Sequence, residues 1–205
     1  MLACTEEQRE QYLFPCIRAE KHDCQAMTEP GAGSDLRGMK ATARADGDDF
    51  ILNGTKHFIS HADVADFAIV WVATGEEDTP RGPKKLITAF LVDKGTPGFT
   101  VRDGYRNVSH RGYNNMILEF DDCRLNKRQI LGELHKGFEV AGKWLGATRL
   151  QVASTCLGRA ERALQVGREA INEVVGAARP LSAMLWMRET EAGAFDTPER
   201  RAAFE

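Results

Sequence analysis

The 205-residue chain contains no CxxC pair, no long apolar run and no excess of positive charge. Its cysteines, Cys4, Cys16, Cys24, Cys123 and Cys156, are odd in number and widely spread. That pattern argues against a disulfide framework and for reduced thiols in a cytosol-like compartment. A zinc site needs clustered Cys and His. His22 stands near Cys24 and His57 near His61, but no four-ligand set forms, so no metal is expected. The longest apolar run, Phe67 to Ala73, has seven residues, where a bilayer span needs about 20. No membrane span is expected. A formal net charge of −3 excludes the strongly basic face that marks most nucleic-acid binders. The opening residues MLACTEEQRE lack the basic-then-apolar order of a secretory signal, so no targeting segment is read there.

Three zones follow one another. In TEEQREQYLFPCIRAEK, residues 5–21, Thr5 can cap a helix, with Gln8 at capping-box spacing. Tyr12 and Leu13 form an apolar patch before Pro15 breaks the pattern. The segment is too short to fold alone and reads as the tail of a helical element. Residues 24–124 read as β. Asn53-Gly54 inside FILNGTKHFIS predicts a hairpin between two short strands. Before it, MKATARADGDDF pairs an alternating run with the turn cluster Asp46-Gly47-Asp48-Asp49. DFAIVWVAT predicts a buried strand, followed by a polar loop from Gly75 to Lys85. LITAFLVD, the turn KGTPG, FTVRDGY and MILEFDDCRL complete a small sandwich or barrel. From Gly137 the period changes. Phe138, Ala141, Trp144, Leu145, Thr148, Val152, Thr155, Leu157 and Ala160 fall near helical spacing, predicting a long helix over residues 136–175. After Gly176 the period fails. A short separate helix over 181–191 and a frayed end are expected.

Three stretches carry polar chemistry. In AMTEPGAGSDLRG, residues 26–38, Gly31 and Gly33 permit close backbone approach, and Thr28 and Ser34 offer hydroxyl donors. Asp35 can tie the loop to its own backbone. The loop is either a plain Gly/Ser turn or a cradle for a phosphate or a ring edge. In KHFISHADVAD, strand alternation puts Phe58 and Ser60 on one face, suited to stacking and hydrogen-bonding a flat ring; the plainer alternative is a core Phe and a capping Ser. Arg149, on the predicted long helix, either faces a ligand cavity or lies along the surface.

AMTEPGAGSDLRG resembles the first signature of the acyl-CoA dehydrogenase family, matching at Ala26, Met27, Thr28, Glu29, Ala32, Gly33, Ser34, Asp35 and Gly38. LNGTKHFISHADVAD resembles the family's aromatic-Ile-Thr/Ser segment. FLVDKGTPGFTV, LEFDDCRL and LGELHKGFEVAGKWLGATR are similar to its later strands and the start of its C-terminal helices. The resemblance implies an α+β fold, a central β-sandwich or barrel flanked by partial helical domains. It divides the chain into residues 1–22, the tail of an N-terminal helical domain; 23–125, the β domain; and 126–205, an incomplete C-terminal helical domain whose sequence diverges from about 176.

The resemblance also implies FAD as cofactor and α,β-dehydrogenation of an acyl-CoA thioester. Gln25, Met27, Thr28, Gly33 and Ser34 would line the flavin, and Phe58, Ile59 and Ser60 would flank its ring system. Phe58 stands where most members carry Trp. Ser34, Thr148 and Arg149 would contact the acyl-CoA. Electron-transfer flavoprotein is the implied acceptor for a complete member, and a homo-oligomer the implied assembly. The location would be cytoplasmic, or the mitochondrial matrix in a eukaryote. The family's base is a glutamate deep in the C-terminal helical domain. In some members it stands on the helix that here carries Arg149, where Thr148 occupies the matching position. No catalytic base is therefore expected in this chain, which reads as an incomplete copy. Flavin or acyl-CoA binding without turnover, and a flavin oxidase or monooxygenase of the same fold, are the alternatives.

Overall fold

The computed structural model describes residues 3–80, 82–107, 112 and 114–191, with 177–191 as backbone only. The expected frayed end lies outside the described residues. Two compact units divide at Leu145/Gly146.

The first unit opens with a helical run: α1 (Glu6–Gln8), a π-helical segment (Arg9–Leu13) and α2 (Phe14–Ile17). The capping box is formed as the spacing predicts, Thr5 Oγ1 accepting from Gln8 N at 3.2 Å and Gln8 Oε1 accepting from Thr5 N at 3.1 Å. The buried Gln8 amide then donates to the carbonyls of Arg128 and Ile130, both at 2.8 Å, fastening the helix to the sheet edge. Pro15 does not end the run, contrary to expectation. A proline cannot donate to the carbonyl four residues back, and the Lys21 ammonium donates to that Gln11 carbonyl instead, at 3.1 Å.

Eight strands build one mixed sheet: β1 (Asp23–Ala26), β2 (Thr42–Asp46), β3 (Asp49–Ser60), β4 (Phe67–Thr79), β5 (Gly82–Asp93), β6 (Phe99–Tyr105), β7 (Asn115–Asn126) and β8 (Ile130–Leu131). Their order is β6-β7-β3-β2-β4-β5-β8, with β1 parallel to β4. The sheet curls into a half-barrel, so Phe50 of β3 meets Phe90 of β5 edge-on at 5.3 Å between centroids. Strict alternation sorts β4 and β5 between two cores. Ala68, Val70, Val72, Phe90 and Val92 enter the inner one, while Phe67, Trp71, Ala73, Ile87, Ala89 and Leu91 enter the outer one. Each fully buried Val or Leu side chain contributes about 1.5–3 kcal/mol of transfer free energy. This α+β architecture agrees with the sequence reading.

Two local expectations are overturned. Asn53-Gly54 is not a turn, because β3 runs unbroken from Asp49 to Ser60. Gly54 sits at φ +141°, where the register against β7 shifts, and a Cβ there would lie 2.7 Å from Ala41 Cα. The glycine serves a bulge and a close approach, not a hairpin. The real turn is at Asp46-Gly47-Asp48-Asp49, with Gly47 at φ +63°. Nor is 75–85 a loop: β4 and β5 continue as a hairpin in which Glu76 opposes Lys85 and Glu77 opposes Lys84. Opposite charges facing across strands favour that extension.

The helix α3 runs Gly137–Glu191 as one element, passing through Gly176 and Pro180 where two helices were expected. Ala177, Ala178 and Ala183 are strong helix formers around the single proline, so one lost backbone bond does not end it. In its first turns Ala141 is buried, and Phe138, Val140 and Leu145 pack on the outer core. In the second unit Leu150, Leu157, Ile171 and Val174 are exposed. Among the described residues no helix is long and apolar enough to cross a membrane.

Candidate functional site

The loop leaving β1 is pinned at its start. Glu29 N donates to Ala32 O at 3.0 Å and Ala32 N returns to Glu29 O at 3.1 Å, closing a turn over Pro30-Gly31. Asp35 accepts from Arg37 N at 3.1 Å, the backbone tie its side-chain length allows. Neither Gly31 nor Gly33 has a positive φ. A Cβ at Gly33 would meet nothing within 4 Å, and one at Gly31 only the tip of Lys40 at 4.0 Å. These glycines are not demanded by neighbours in the chain; they leave the loop surface clear. Ser34 is exposed and Thr28 half-buried.

Beneath the loop lies a pair the sequence reading did not single out. The carboxylate of Glu29 and the ammonium of Lys56 meet at 2.7 Å with 4% and 0% side-chain exposure. Glu29 also accepts from the backbone N–H groups of Lys40 and Ala41, and Lys56 donates to the Met27 carbonyl at 3.1 Å. Burial pulls the Lys56 ammonium below its usual range, and the Glu29 carboxylate acts against that pull. The sequence signal was slight, a lysine within a strand segment that leads to Phe58 and Ile59.

The strand after Lys56 brings the second arm. His57 N donates to Thr28 O at 3.0 Å, so the aromatic segment and the loop are joined directly. Phe58 then takes the left-handed conformation, φ +54°, at a register shift between Lys56 and Ile59. For a bulky residue this costs about 1–3 kcal/mol, and such strain gathers at functional positions. Phe58 is 45% exposed and Ile59 1%. The bulge interrupts the regular alternation expected to put Phe58 and Ser60 on one face. Ile59 therefore anchors the arm in the inner core, and only its backbone can face a ligand. The Phe58 ring stacks on Tyr105 at 4.0 Å and 24°, and His57 Nδ1 lies 3.1 Å from the Tyr105 hydroxyl. His57 and Tyr105 were not anticipated, since a contact across 48 residues leaves no local pattern.

The other named residues are placed as follows. Met27 packs against the outer core and Ser60 is half-buried. Gln25 points to the outer side of β1, where its Oε1 is buried with no hydrogen-bond partner among the described residues. It lines an apolar groove of about 560 Å³ with Tyr12, Phe67, Ile69 and Trp144. Thr148 and Arg149 belong to the second unit, half-buried and exposed respectively. Among the described residues no group of three His, Cys, Asp or Glu gathers at a metal's reach. Glu29 is buried and committed to an ion pair and two amides, which sets it against the role of a free carboxylate base.

Residues 24–123 match the family model described as acyl-CoA dehydrogenase, middle domain. The human mitochondrial short-chain specific acyl-CoA dehydrogenase is 39% identical over 160 residues, covering 78% of this chain and 38% of that protein. The CarC subunit of a caffeyl-CoA reductase-Etf complex from Acetobacterium woodii is 40% identical over 164 residues, covering 80% of this chain and 42% of its own. A solved glutaryl-CoA dehydrogenase from Mycobacterium smegmatis, in complex with FADH2, is 37% identical with a TM-score of 0.56, over 63% of this chain and 31% of that one. The chain thus spans about two-fifths of the length of the curated relatives it matches. Through the half-barrel of residues 24–123 and the loop and strand that meet on it, the chain belongs to the acyl-CoA dehydrogenase family.

Proposed function

We propose that this chain holds FAD at the meeting of its loop and its aromatic strand, and serves the α,β-dehydrogenation of an acyl-CoA thioester. The observation that carries the reading is the His57–Thr28 bond of 3.0 Å, which sets an exposed Phe58 ring beside a loop of unhindered hydroxyls and amides. A flavin needs a flat apolar face and donors at its polar edge. The exposed ring of Phe58, the Thr28 and Ser34 hydroxyls and the open surface over Gly33 fit both needs. Gln25 offers a further acceptor, its Oε1, on the outer side of β1.

FAD, when bound, supplies the hydride acceptor. The chain's own residues position and hold. Phe58 would present its ring face, Thr28 and Ser60 would donate to ring heteroatoms, and Met27 would support the loop from the outer core. Ser34, Thr148 and Arg149 would contact the acyl-CoA. Hydrogen bonds to the thioester oxygen would lower the acidity barrier at the α carbon, as donors at an oxyanion site do. Of the loop's carboxylates, Glu29 is held by Lys56 and two backbone amides and is not free to serve as the base. That commitment favours a second reading for this stretch, flavin and acyl-CoA binding without turnover.

The domain division at 1–22, 23–125 and 126–205 belongs to the same proposal. So do an electron-transfer flavoprotein as acceptor, supported by the Acetobacterium relative's name, and a homo-oligomer, supported by the exposed Leu150, Leu157, Ile171 and Val174. A reducing compartment, cytoplasm or mitochondrial matrix, suits five free thiols. The test is to titrate FAD against the purified chain and follow flavin fluorescence, then add acyl-CoA without oxygen. Saturable quenching without bleaching is expected. No saturable quenching would sink the flavin site, and bleaching would sink the claim that these residues supply no base.

A further inference from the structure

We propose that the buried Glu29–Lys56 pair is a positioning clamp for the flavin site, setting the loop arm Met27–Thr28 against the strand arm Phe58–Ser60. The inference rests on the flavin reading above. Among the described ion pairs this one alone is buried, the rest exposing at least 35% of each side chain. Exposed pairs contribute little and hold little in place.

A buried pair is seldom kept for stability, since apolar side chains of the same volume often hold a fold as well or better. What charges add is direction. Here both carboxylate oxygens are used, Oε1 by Lys56 at 2.7 Å and Ala41 N at 3.1 Å, Oε2 by Lys40 N. The ammonium is used twice, by Glu29 and by the Met27 carbonyl at 3.1 Å. Such a network is satisfied in one arrangement only, so it selects one register of loop on strand.

The leverage lies in adjacency. Glu29 follows Thr28 directly, and Lys56 precedes Phe58 by two residues. The bond from His57 N to Thr28 O, 3.0 Å, closes the ring between them. Phe58 is then held in its left-handed conformation from both sides, by Lys56 in the clamp and by Ile59 in the core. Any slip of the pair would move the Phe58 ring relative to the Thr28 hydroxyl. Glu29 and Lys56 touch no ligand in this scheme; they act through Thr28 and Phe58.

The experiment compares the parent chain with Glu29→Gln and with the double variant Glu29→Gln/Lys56→Met, which removes both charges and leaves no lone ion. Four quantities are read: melting temperature, the dissociation constant for FAD by fluorescence quenching, the visible circular dichroism of the bound flavin, and amide hydrogen exchange at Ala41 and His57 without FAD. The clamp requires the variants to stay folded, to bind FAD at least tenfold more weakly, to lose the visible circular dichroism of the bound flavin, and to exchange faster at His57. Folded variants with parental FAD affinity would overturn the clamp while leaving the flavin site standing. A parent that binds no FAD would overturn both. Should the double variant not fold, Glu29→Gln alone decides, by whether His57 exchange and FAD affinity change together.

Discussion

Two glycines of this chain make opposite demands, and replacing each with alanine separates them. At Gly54 an added Cβ would lie 2.5 Å from the Ala41 Cβ and 2.7 Å from its Cα, with φ at +141°. The backbone strain costs about 1–3 kcal/mol, and the forced displacement of Ala41 about 1–3 kcal/mol more. Ala41 is not free to retreat, because its N–H is bonded to Glu29 at 3.1 Å. The sum, about 2–6 kcal/mol, is a large share of the roughly 5–15 kcal/mol that holds a domain together. In a chain of this size each kcal/mol moves the melting temperature by about 2–4 °C, so Gly54→Ala should fall by about 4–24 °C. At Gly33 an added Cβ meets nothing within 4 Å and φ is not positive. Removing glycine's freedom from the unfolded chain then stabilises by about 0.4–1 kcal/mol. Gly33→Ala should melt at or slightly above the parent, yet bind FAD more weakly if the open surface is where the cofactor lies. Urea unfolding and FAD titration on both variants make the check. Equal stability losses at the two positions would refute the reasoning, as would unchanged FAD affinity in Gly33→Ala for the ligand part.

Other outcomes follow from the same geometry. Phe58→Asn relieves a left-handed backbone that Asn tolerates well and gives up a half-exposed ring, so melting should hold within a few degrees while flavin quenching is lost; strong unfolding would show that the ring is a core element instead. Burial raises the Cys24 thiol to about 12 and the Cys123 thiol to about 11, from an ordinary 9.0. Both keep their protons in the folded state while the unfolded chain loses them, so their contribution falls as pH rises from 9 towards about 11. Substituting both with alanine should flatten that part of the stability–pH curve relative to the parent, measured by urea unfolding at each pH; parallel curves would contradict the assigned burial.

The features legible in the sequence were those whose physics is local. Thr5 and Gln8 form their capping box because three residues of helix bring them together wherever the helix lies. Alternation in DFAIVWVAT and LITAFLVD sorts side chains between two cores because a pleated strand has period two. Asp46-Gly47 turns because glycine takes a positive φ at little cost. The signature loop and the aromatic segment were open to two readings by residue type, and the resemblance to the family's motifs made them candidate sites. Where the reading failed, a distant partner had decided the matter. Asn53-Gly54 is a strong hairpin signal, but the approach of Ala41 makes Gly54 a bulge inside one long strand. The charged stretch 75–85 looks like a loop until Glu77 and Lys84 face each other across a hairpin.

Sequence alone pointed to the family, to a β domain of alternating strands and to the residue types of the two arms, since each depends on neighbours within a few residues. Tertiary structure alone decided that those arms meet. The ion pair joining Glu29 to Lys56 spans 27 positions, the contact between His57 and Tyr105 spans 48, and Phe58 adopts a conformation its own side chain disfavours. Such contacts leave no periodic trace. They exist because burying the two cores brings distant strands together, and polar groups enclosed between them must be paired.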